Sequence, residues 1–338
     1  MGRQVDVAVV AGRLLTGLVE VTSDVAALDR GGTWAVVLPF DAPPVCARFE
    51  SSRPAPAWPR YRRRPPARAG WTSSLDREAH AKGVSVIREA IAAGDVYQVN
   101  LCRRLSTAVP DGFHLLELAA ALAAGNPAPH AAVVHLPSVG VSVASASPER
   151  FLRRVGDVVE SEPIKGTART EDRLTAKDRA ENVMIADLVR NDLGRVCRYG
   201  SVEVPALCRV ERHPGLVHLV STVRGRLRPG TGWPEILAAT FPPGSVTGAP
   251  KVAALDLIGG LEPVARGVYC GAAGWVDADR HQADLNVAIR TFWVEDGRLH
   301  LGTGGGITWG SDPDGEWEET ELKAARLLDA AGAVVGRP

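Results

Sequence analysis

Two pairs of acidic residues stand on predicted helices at a spacing that could hold a hard cation. Asp178 and Glu181 are three residues apart in a predicted helix over 175–193, and Glu181 shares its helix face with large apolar side chains. Glu316 and Glu319 repeat this spacing in the last predicted helix. Carboxylates without nearby His or Cys favour magnesium over zinc or iron. Solvated charges or helical ion pairs explain either pair alone, so both interpretations stay open.

A lysine and a glutamate in two other segments could carry nucleophilic and acid–base chemistry. Lys165 lies between a β-branched residue and a glycine in Pro-Ile-Lys-Gly-Thr, where desolvation could lower its pKa and free the amine as a nucleophile or base. Glu149 ends a predicted strand and could serve as a general acid if its pKa were raised. The alternatives are a solvated loop lysine and a carboxylate paired with Arg150 or capping a turn.

Three further features could bind anions. Three successive glycines, Gly304 to Gly306, follow a predicted strand and would let main-chain N–H groups approach a carboxylate or phosphate. The turn 245–251 leads into a predicted helix whose first N–H groups are free, and Arg290 offers a bidentate donor on a strand. A glycine run can also be a simple turn. Taken together, the features predict a magnesium site beside a pocket for a substrate with several carboxylates.

The composition excludes several classes of protein. The 338 residues are 45% hydrophobic and 23% charged, and 39 Lys and Arg balance 39 Asp and Glu. A disordered chain would have a lower hydrophobic fraction and an excess of charge, and a nucleic-acid binder would usually carry a net positive charge. Five scattered cysteines give neither a zinc motif nor a disulfide framework, and no apolar run is long enough for a membrane span or a signal peptide. We expect a cytoplasmic protein whose partners are small molecules or proteins, not nucleic acid or membrane.

Local patterns predict an α+β fold with one large domain. Residues 1–70 are predicted as a short N-terminal β segment followed by a linker rich in Pro and Arg from residue 41, and residues 71–338 as the catalytic domain. Helices are predicted over 76–93, 115–124, 175–193, 234–239, 250–261 and 315–331. Strands are predicted over 96–101, 131–136, 139–146, 217–223, 271–276, 288–294 and 298–302, with a hairpin over 151–159.

An ordered set of sequence blocks between residues 94 and 328 resembles the chorismate-utilising enzymes, the family of the anthranilate, aminodeoxychorismate, isochorismate and salicylate synthases. The blocks are 94–101, 147–151, 163–167, 178–182, 187–192, 218–221, 247–251, 288–291, 304–306 and 316–320. The resemblance implies two β-sheets packed together with helices outside and an active site in a cleft. The chain departs from the family at Trp309, near the glycine run, and in its short N-terminal region.

Two positions indicate which reaction the resemblance implies. Gln98 stands where isochorismate-forming members carry a lysine that activates water, so the chain is similar to the members that use ammonia. Lys165 stands where anthranilate synthases typically have alanine and aminodeoxychorismate synthases have lysine. The resemblance therefore favours formation of 4-amino-4-deoxychorismate, with anthranilate formation as the alternative. Because no glutaminase motif is present, it implies ammonia from a separate glutamine amidotransferase subunit.

The resemblance also implies a role for each candidate residue. Magnesium would be held by Glu181 and Glu319, supported by Asp178 and Glu316, and Lys165 would attack chorismate while Glu149 protonates the leaving hydroxyl. The residues implied around the substrate and its nucleophile are Gln98, Thr167, His218, Thr247, Gly248, Tyr269, Arg290, Gly304, Gly305, Gly306 and Lys323. The remaining alternative is a non-catalytic partner of the amidotransferase. Such a protein would be expected to lack the catalytic acidic residues, and these residues are present.

Overall fold

The computed structural model describes residues 5–58, 70–213 and 216–335. In these ranges the helices are α1 (Arg77–Ala93), α2 (Leu115–Gly125), α3 (Ala176–Gly194), α4 (Trp233–Thr240), α5 (Lys251–Leu261) and α6 (Pro313–Val335). The first nine strands are β1 (Val7–Val10), β2 (Arg13–Thr22), β3 (Thr33–Leu38), β4 (Val45–Pro54), β5 (Thr72–Ser73), β6 (Gln98–Ala108), β7 (His130–Leu136), β8 (Val141–Ser147) and β9 (Arg150–Val155). The other nine are β10 (Val158–Glu162), β11 (Ile164–Ala168), β12 (Glu203–His213), β13 (Leu216–Arg226), β14 (Gly248–Ala249), β15 (Ala272–Asp277), β16 (Gln282–Val287), β17 (Thr291–Glu295) and β18 (Arg298–Ile307).

Antiparallel pairing joins all the strands into one continuous network. One edge of β6 pairs with β5 and β14, and from its other edge the order runs β18, β17, β8, β7, β1, β2, β4, β3, β15, β16, β9, β10 and β13. β11 continues along the edge of β13 that β10 occupies, and β12 covers the other edge.

The two halves of this strand order, β6 to β2 and β4 to β13, pack on each other as two layers, with β7 of the first half against β3 and β16 of the second. Ala8 and Val134 from the first half share one buried cluster with Val36 and Leu285 from the second. The helices lie on the outside: α1 and α5 against β6, α2 against β8, α3 against β11 and β13, and α6 against β18. The α+β class is thereby confirmed, and the two expected sheets are the halves of one hydrogen-bonded network.

Local sequence signals explain where the functional helices begin and end. α1 starts after Asp76, whose side chain accepts from the N–H of Ala79, and stops at Gly94 in the left-handed conformation. α3 starts at a capping box in which Thr175 and Asp178 each bond the backbone of the other. The six predicted helices are confirmed to within a few residues, apart from the C-terminal end of α6, which runs to Val335.

The expected linker from residue 41 is wrong for residues 45–54, which form β4 and pair with both β2 and β3. Cys46, Ala47 and Phe49 are buried there, and apolar burial outweighs the weak strand signal of a segment that ends in Ser and Pro. Part of the Pro/Arg-rich stretch, 59–69, lies outside the described residues. β5, β11, β12, β14 and β16 were not expected from the sequence. Among the described helices, none combines the length and apolar character needed to cross a bilayer.

Candidate active site

Three elements meet around Lys165. β11 carries Lys165 itself, α3 packs on β11 and carries Glu181, and α6 packs on β18 and carries Glu319. Lys165 as a residue is half-buried, and burial of its amine lowers the pKa, while the carboxylates of Glu181, Glu149 and Glu319 oppose this effect. The structure therefore brings the predicted nucleophile, the predicted acid and a member of each predicted acidic pair within electrostatic range of one another.

Glu149 is buried at the end of β8, where the chain turns into β9. Burial raises its pKa to about 7, although a hydrogen bond from Ser245 and the charge of Lys165 favour the carboxylate. The backbone N–H of Ile164, next to Lys165, also donates to it. A carboxyl group with a pKa near neutrality can donate a proton at physiological pH. Arg150, the alternative partner weighed for Glu149, instead bonds Glu162 and Asp284.

The two acidic residues on α3 have different hydrogen-bond and ion-pair partners. Asp178 belongs to the capping box at the start of the helix, where its carboxylate accepts from the N–H and hydroxyl of Thr175. Glu181 lies 3.7 Å from the Nζ of Lys177, one turn earlier. Burial raises the pKa of Glu181, while Lys165 and Lys177 oppose the rise. Glu181 is thus a desolvated carboxylate that depends on neighbouring cations.

The acidic pair on α6 is held by neighbouring donors. Glu316 is buried, accepts a hydrogen bond of 2.5 Å from Ser311, and has its pKa raised by burial. Although burial alone would raise the pKa of Glu319, the ammonium of Lys323 at 2.7 Å and the charge of Lys165 hold it below its usual value. No set of three His, Cys, Asp or Glu residues in the described ranges forms a ready-made metal site.

The glycine run leaves an open backbone edge beside these acids. β17 pairs with β18 only as far as Leu301, so in the described part of the chain no strand pairs with 302–307 on that side. The carbonyl of Gly304 faces this edge and accepts from the Nζ of Lys323 at 2.9 Å. Since the N–H and C=O of a strand residue point to the same side, the amides of Gly304 and Gly306 face the open edge.

The register with β6 supports this assignment. Gly304 and Gly306 lie opposite Cys102 and Asn100, whose N–H groups donate away from β18, to Glu262 and to the carbonyl of Thr247. Gly305, which lies between them, faces the opposite side of the strand. A β-carbon at Gly305 would lie 3.1 Å from Oε2 of Glu316, so the glycine leaves room for this carboxylate. The edge therefore offers two amides to an anion, next to Lys323.

Gln98 and Gly248 lie on the other side of the glycine run. A β-carbon at Gly306 would lie 2.4 Å from Nε2 of Gln98, so this amide packs directly on the strand backbone. Gly248 pairs with Val99 and has a φ of +155°, and a side chain there would collide with the carbonyl of Gln98. Thr247 is fully buried, and its hydroxyl donates to the carbonyl of Pro243 at 3.1 Å.

Arg290 and Tyr269 approach from the turns that flank β15 and β16. Arg290 adopts a left-handed φ of +51°, a strained conformation for a residue with a side chain, just before β17. Burial and the charge of Arg326 lower its pKa, and Glu149 opposes them. Tyr269 is buried, which raises its pKa, and its ring fills the space that a side chain at Gly302 would take. Arg290 is thus a desolvated cation near Glu149.

His218 lies on β13 and pairs with Thr167 across the sheet. Its Nδ1 is 2.8 Å from the hydroxyl of Thr167, two residues after Lys165. The imidazole is buried, whereas Thr167 is exposed. This bond ties the chain immediately after Lys165 to the adjacent strand.

Several residues around the site carried no assignment from the sequence. Ser245 bonds Glu149, Ser311 bonds Glu316, and Lys177 pairs with Glu181. Lys177 follows from the i, i+4 spacing on α3, and Ser311 lies only five residues before Glu316. The contact between Ser245 and Glu149 joins segments far apart in the chain and has no local signal. Trp309 is 61% exposed, and the guanidinium of Arg88 lies 5.7 Å from the centre of its ring.

The site as a whole combines an amine with lowered pKa, a carboxyl group with raised pKa, carboxylates on two helices, and amides and cations suited to anions. Such a set suits nucleophilic substitution on a polycarboxylate.

Comparison with known proteins agrees with this chemistry. Residues 45–329 match the family model described as chorismate binding enzyme. The chain is 41% identical over 281 residues to anthranilate synthase component 1 1 of Haloarcula marismortui, covering 80% of this chain and 56% of that protein. It is 45% identical over 260 residues to aminodeoxychorismate synthase of Streptomyces pristinaespiralis, covering 73% of this chain and 36% of that protein.

A solved structure shows the same likeness. Anthranilate synthase component I from Streptococcus pneumoniae superposes with a TM-score of 0.75 at 26% identity, covering 88% of this chain and 80% of that one. The chain spans about half the length of most of the curated relatives it matches.

Proposed function

Because the chain belongs to the chorismate binding enzyme family, we propose that it converts chorismate and ammonia into 4-amino-4-deoxychorismate. The observation that carries the proposal is Lys165, a desolvated amine on β11 surrounded by Glu149, Glu181 and Glu319. An alanine at this position, as expected of an anthranilate synthase, could not form a covalent bond to the substrate.

The first half of the proposed reaction uses Lys165 and Glu149. The neutral amine attacks ring carbon 2 of chorismate, both ring double bonds shift, and the hydroxyl on carbon 4 leaves as water with the proton of Glu149. The lowered pKa of Lys165 supports the neutral amine, and the pKa of about 7 supports a protonated Glu149. The adduct on Lys165 has gained chorismate and lost one water.

The second half replaces lysine by ammonia. Ammonia bonds to carbon 4, both double bonds shift back, the bond from carbon 2 to Lys165 breaks, and one proton passes from the added nitrogen to the lysine nitrogen. We propose that the side chain of Gln98, which is buried against Gly306, contacts the incoming ammonia. Ammonia would be supplied by a separate glutamine amidotransferase, or from solution in its absence.

Substrate carboxylates are proposed to bind at the open edge of β18 and at Arg290. The amides of Gly304 and Gly306 and the guanidinium of Arg290 supply donors for the enolpyruvyl carboxylate, with Tyr269 and Lys323 beside them. We place the ring against Thr167, Thr247 and Gly248. His218 supports this wall through its contact with Thr167.

The carboxylates on α3 and α6 fit a magnesium ion. Their oxygen atoms are the ligands that Mg²⁺ prefers, and the raised pKa values of Glu181 and Glu316 reflect burial among like charges that a divalent cation would relieve. We propose that Glu181 and Glu319 hold the ion and that Asp178 and Glu316 support it. When bound, magnesium supplies Lewis-acid stabilisation of charge at the ring carboxylate. Lys177 and Lys323, which pair with the two ligands here, would have to release them.

The direct test incubates the purified chain with chorismate, magnesium chloride and an ammonium salt, and omits ammonium in a parallel reaction. We expect ammonium-dependent formation of 4-amino-4-deoxychorismate, detected as p-aminobenzoate after addition of a lyase. Direct release of anthranilate and pyruvate would instead support the second candidate, anthranilate synthase, which the relative from Haloarcula marismortui favours by name.

Replacing Glu319 by glutamine should raise the magnesium concentration needed for half-maximal turnover about tenfold or more, because one ligand charge is lost. Magnesium-dependent stabilisation against heat should shift to higher concentration in parallel, which provides a readout independent of activity. Glu318→Gln is the matched control, since Glu318 stands next to it on α6 with a side chain 73% exposed and should leave both titrations unchanged. An unaltered titration in Glu319→Gln would contradict the assignment.

A further inference from the structure

A short series of buried amide contacts runs from Gln98 towards Glu149. Nε2 of Gln98 donates to Oδ1 of Asn100 at 3.3 Å, and Nδ2 of Asn100 donates to the carbonyl of Ser245 at 3.3 Å. The hydroxyl of Ser245 in turn bonds Glu149. All four residues are at most 7% exposed, so water does not compete for these contacts.

The carbonyl of Ser245 fixes the direction of both amide groups. A backbone carbonyl can only accept, so the end of Asn100 that faces it must be the NH₂ group. The oxygen of Asn100 then faces Gln98 and can only receive the NH₂ group of Gln98. Oε1 of Gln98 is consequently the end left over, and among the described residues this buried oxygen has no hydrogen-bond partner.

The same pair lies against the proposed substrate edge. A β-carbon at Gly306 would stand 2.4 Å from Nε2 of Gln98 and 3.1 Å from Oδ1 of Asn100. The backbone N–H of Asn100 also donates to the carbonyl of Thr247 at 2.7 Å, which anchors β6 to the turn before α5. The two amides are therefore held between the glycine run and the wall of the proposed pocket.

We propose that Asn100 is a positioning residue that holds Gln98 with its amide oxygen available to the N–H groups of ammonia. This inference rests on the proposed function. The lone pair of ammonia is committed to carbon 4, so only hydrogen-bond donors remain on its nitrogen, and these require an acceptor. The donors strengthen as the nitrogen gains positive charge. A Gln98 free to rotate would present its own NH₂ group for part of the time and lose that interaction.

The test measures the KM for ammonium and the KM for chorismate at fixed pH in four chains: wild type, Asn100→Ala, Gln98→Leu and the double variant. In Asn100→Ala we expect the KM for ammonium to rise about tenfold, with the KM for chorismate within about twofold of wild type. Gln98→Leu should show a similar rise. The double variant should show no further rise beyond Gln98→Leu, since Asn100 acts through Gln98.

Asn286→Ala is the matched control for lost stability. Asn286 is a buried amide whose Nδ2 also donates to a backbone carbonyl, that of His130, so its removal should lower stability without moving the KM for ammonium. If Asn100→Ala does not fold, Asn100→Ser replaces it, because a serine hydroxyl is too short to span from Gln98 to Ser245.

The outcomes separate this inference from the proposed function. Equal rises in both KM values, an unchanged KM for ammonium, or additive effects in the double variant would overturn the proposed role of Asn100. These outcomes would leave the proposed function standing. Failure of the wild-type chain to consume chorismate in response to ammonium would overturn the proposed function and this inference with it. Formation of anthranilate in place of aminodeoxychorismate would overturn the proposed product and still allow the test, because the nucleophile is the same.

Discussion

Replacing Lys165 by alanine should lower the rate of aminodeoxychorismate formation by at least about 10³-fold, because alanine has no nucleophile to form the covalent intermediate. Lys165 stands on β11 among Glu149, Glu181 and Glu319, and burial of its amine lowers the pKa. Initial rates with saturating chorismate, magnesium and ammonium measure the effect. A loss of less than about tenfold would remove the covalent role from Lys165.

Lys165→Arg separates the covalent role from a purely electrostatic one. Arginine keeps the positive charge among the carboxylates but stays protonated, so it cannot act as the nucleophile. We expect Lys165→Arg to be as inactive as Lys165→Ala, whereas an electrostatic role predicts substantial recovery. Mass spectrometry of wild-type enzyme quenched with chorismate in the absence of ammonia should reveal a mass increase equal to chorismate minus one water. The same experiment on Lys165→Arg should give no adduct.

The sequence predicted the components of this site better than their arrangement. Spacing alone placed Glu181 and Glu319 on helices. α3 follows its expected bounds closely because capping residues and apolar periodicity are local signals, whereas α6 extends to Val335 at its C-terminal end. The pairing of Glu319 with Lys323 at i, i+4 was equally local. The α+β class followed from the mixture of the two periodicities.

Strand register was beyond the reach of local patterns. Which amides of the glycine run face the open edge depends on Gly304 lying opposite Cys102 and on the pairing of β18 with β17 ending at Leu301, and neither is encoded near the glycines. The contact between Ser245 and Glu149 likewise joins residues 96 positions apart. β4 escaped prediction because burial of Phe49 against the sheet stabilises a segment whose composition resembles a loop.

Glu149 sets the expected dependence of the reaction on pH. Burial raises the pKa of this carboxyl group to about 7, and a general acid works only while protonated. In the free enzyme Glu149 is therefore competent below pH 7, and the fraction of enzyme with a protonated Glu149 falls as the pH rises through about 7. Where Lys165 is already neutral, kcat/KM should fall with it. Chorismate carries two carboxylates, which should raise the pKa of Glu149 further once bound, so the fall in kcat should lie at higher pH than the fall in kcat/KM.

Glu149→Gln should lower kcat by about 10²- to 10⁴-fold and abolish the fall near pH 7, because glutamine retains the shape and hydrogen bonding but has no proton to donate. Glu162→Gln is the matched control: Glu162 also has a pKa raised by burial, but its carboxylate bonds Arg150, and it should keep the wild-type profile. Rates measured from pH 5.5 to 9 in all three chains test both effects, with ionic strength and the concentration of free ammonia held constant. A profile in Glu149→Gln that still falls near pH 7 would assign that titration, and the proton for the leaving hydroxyl, to another group.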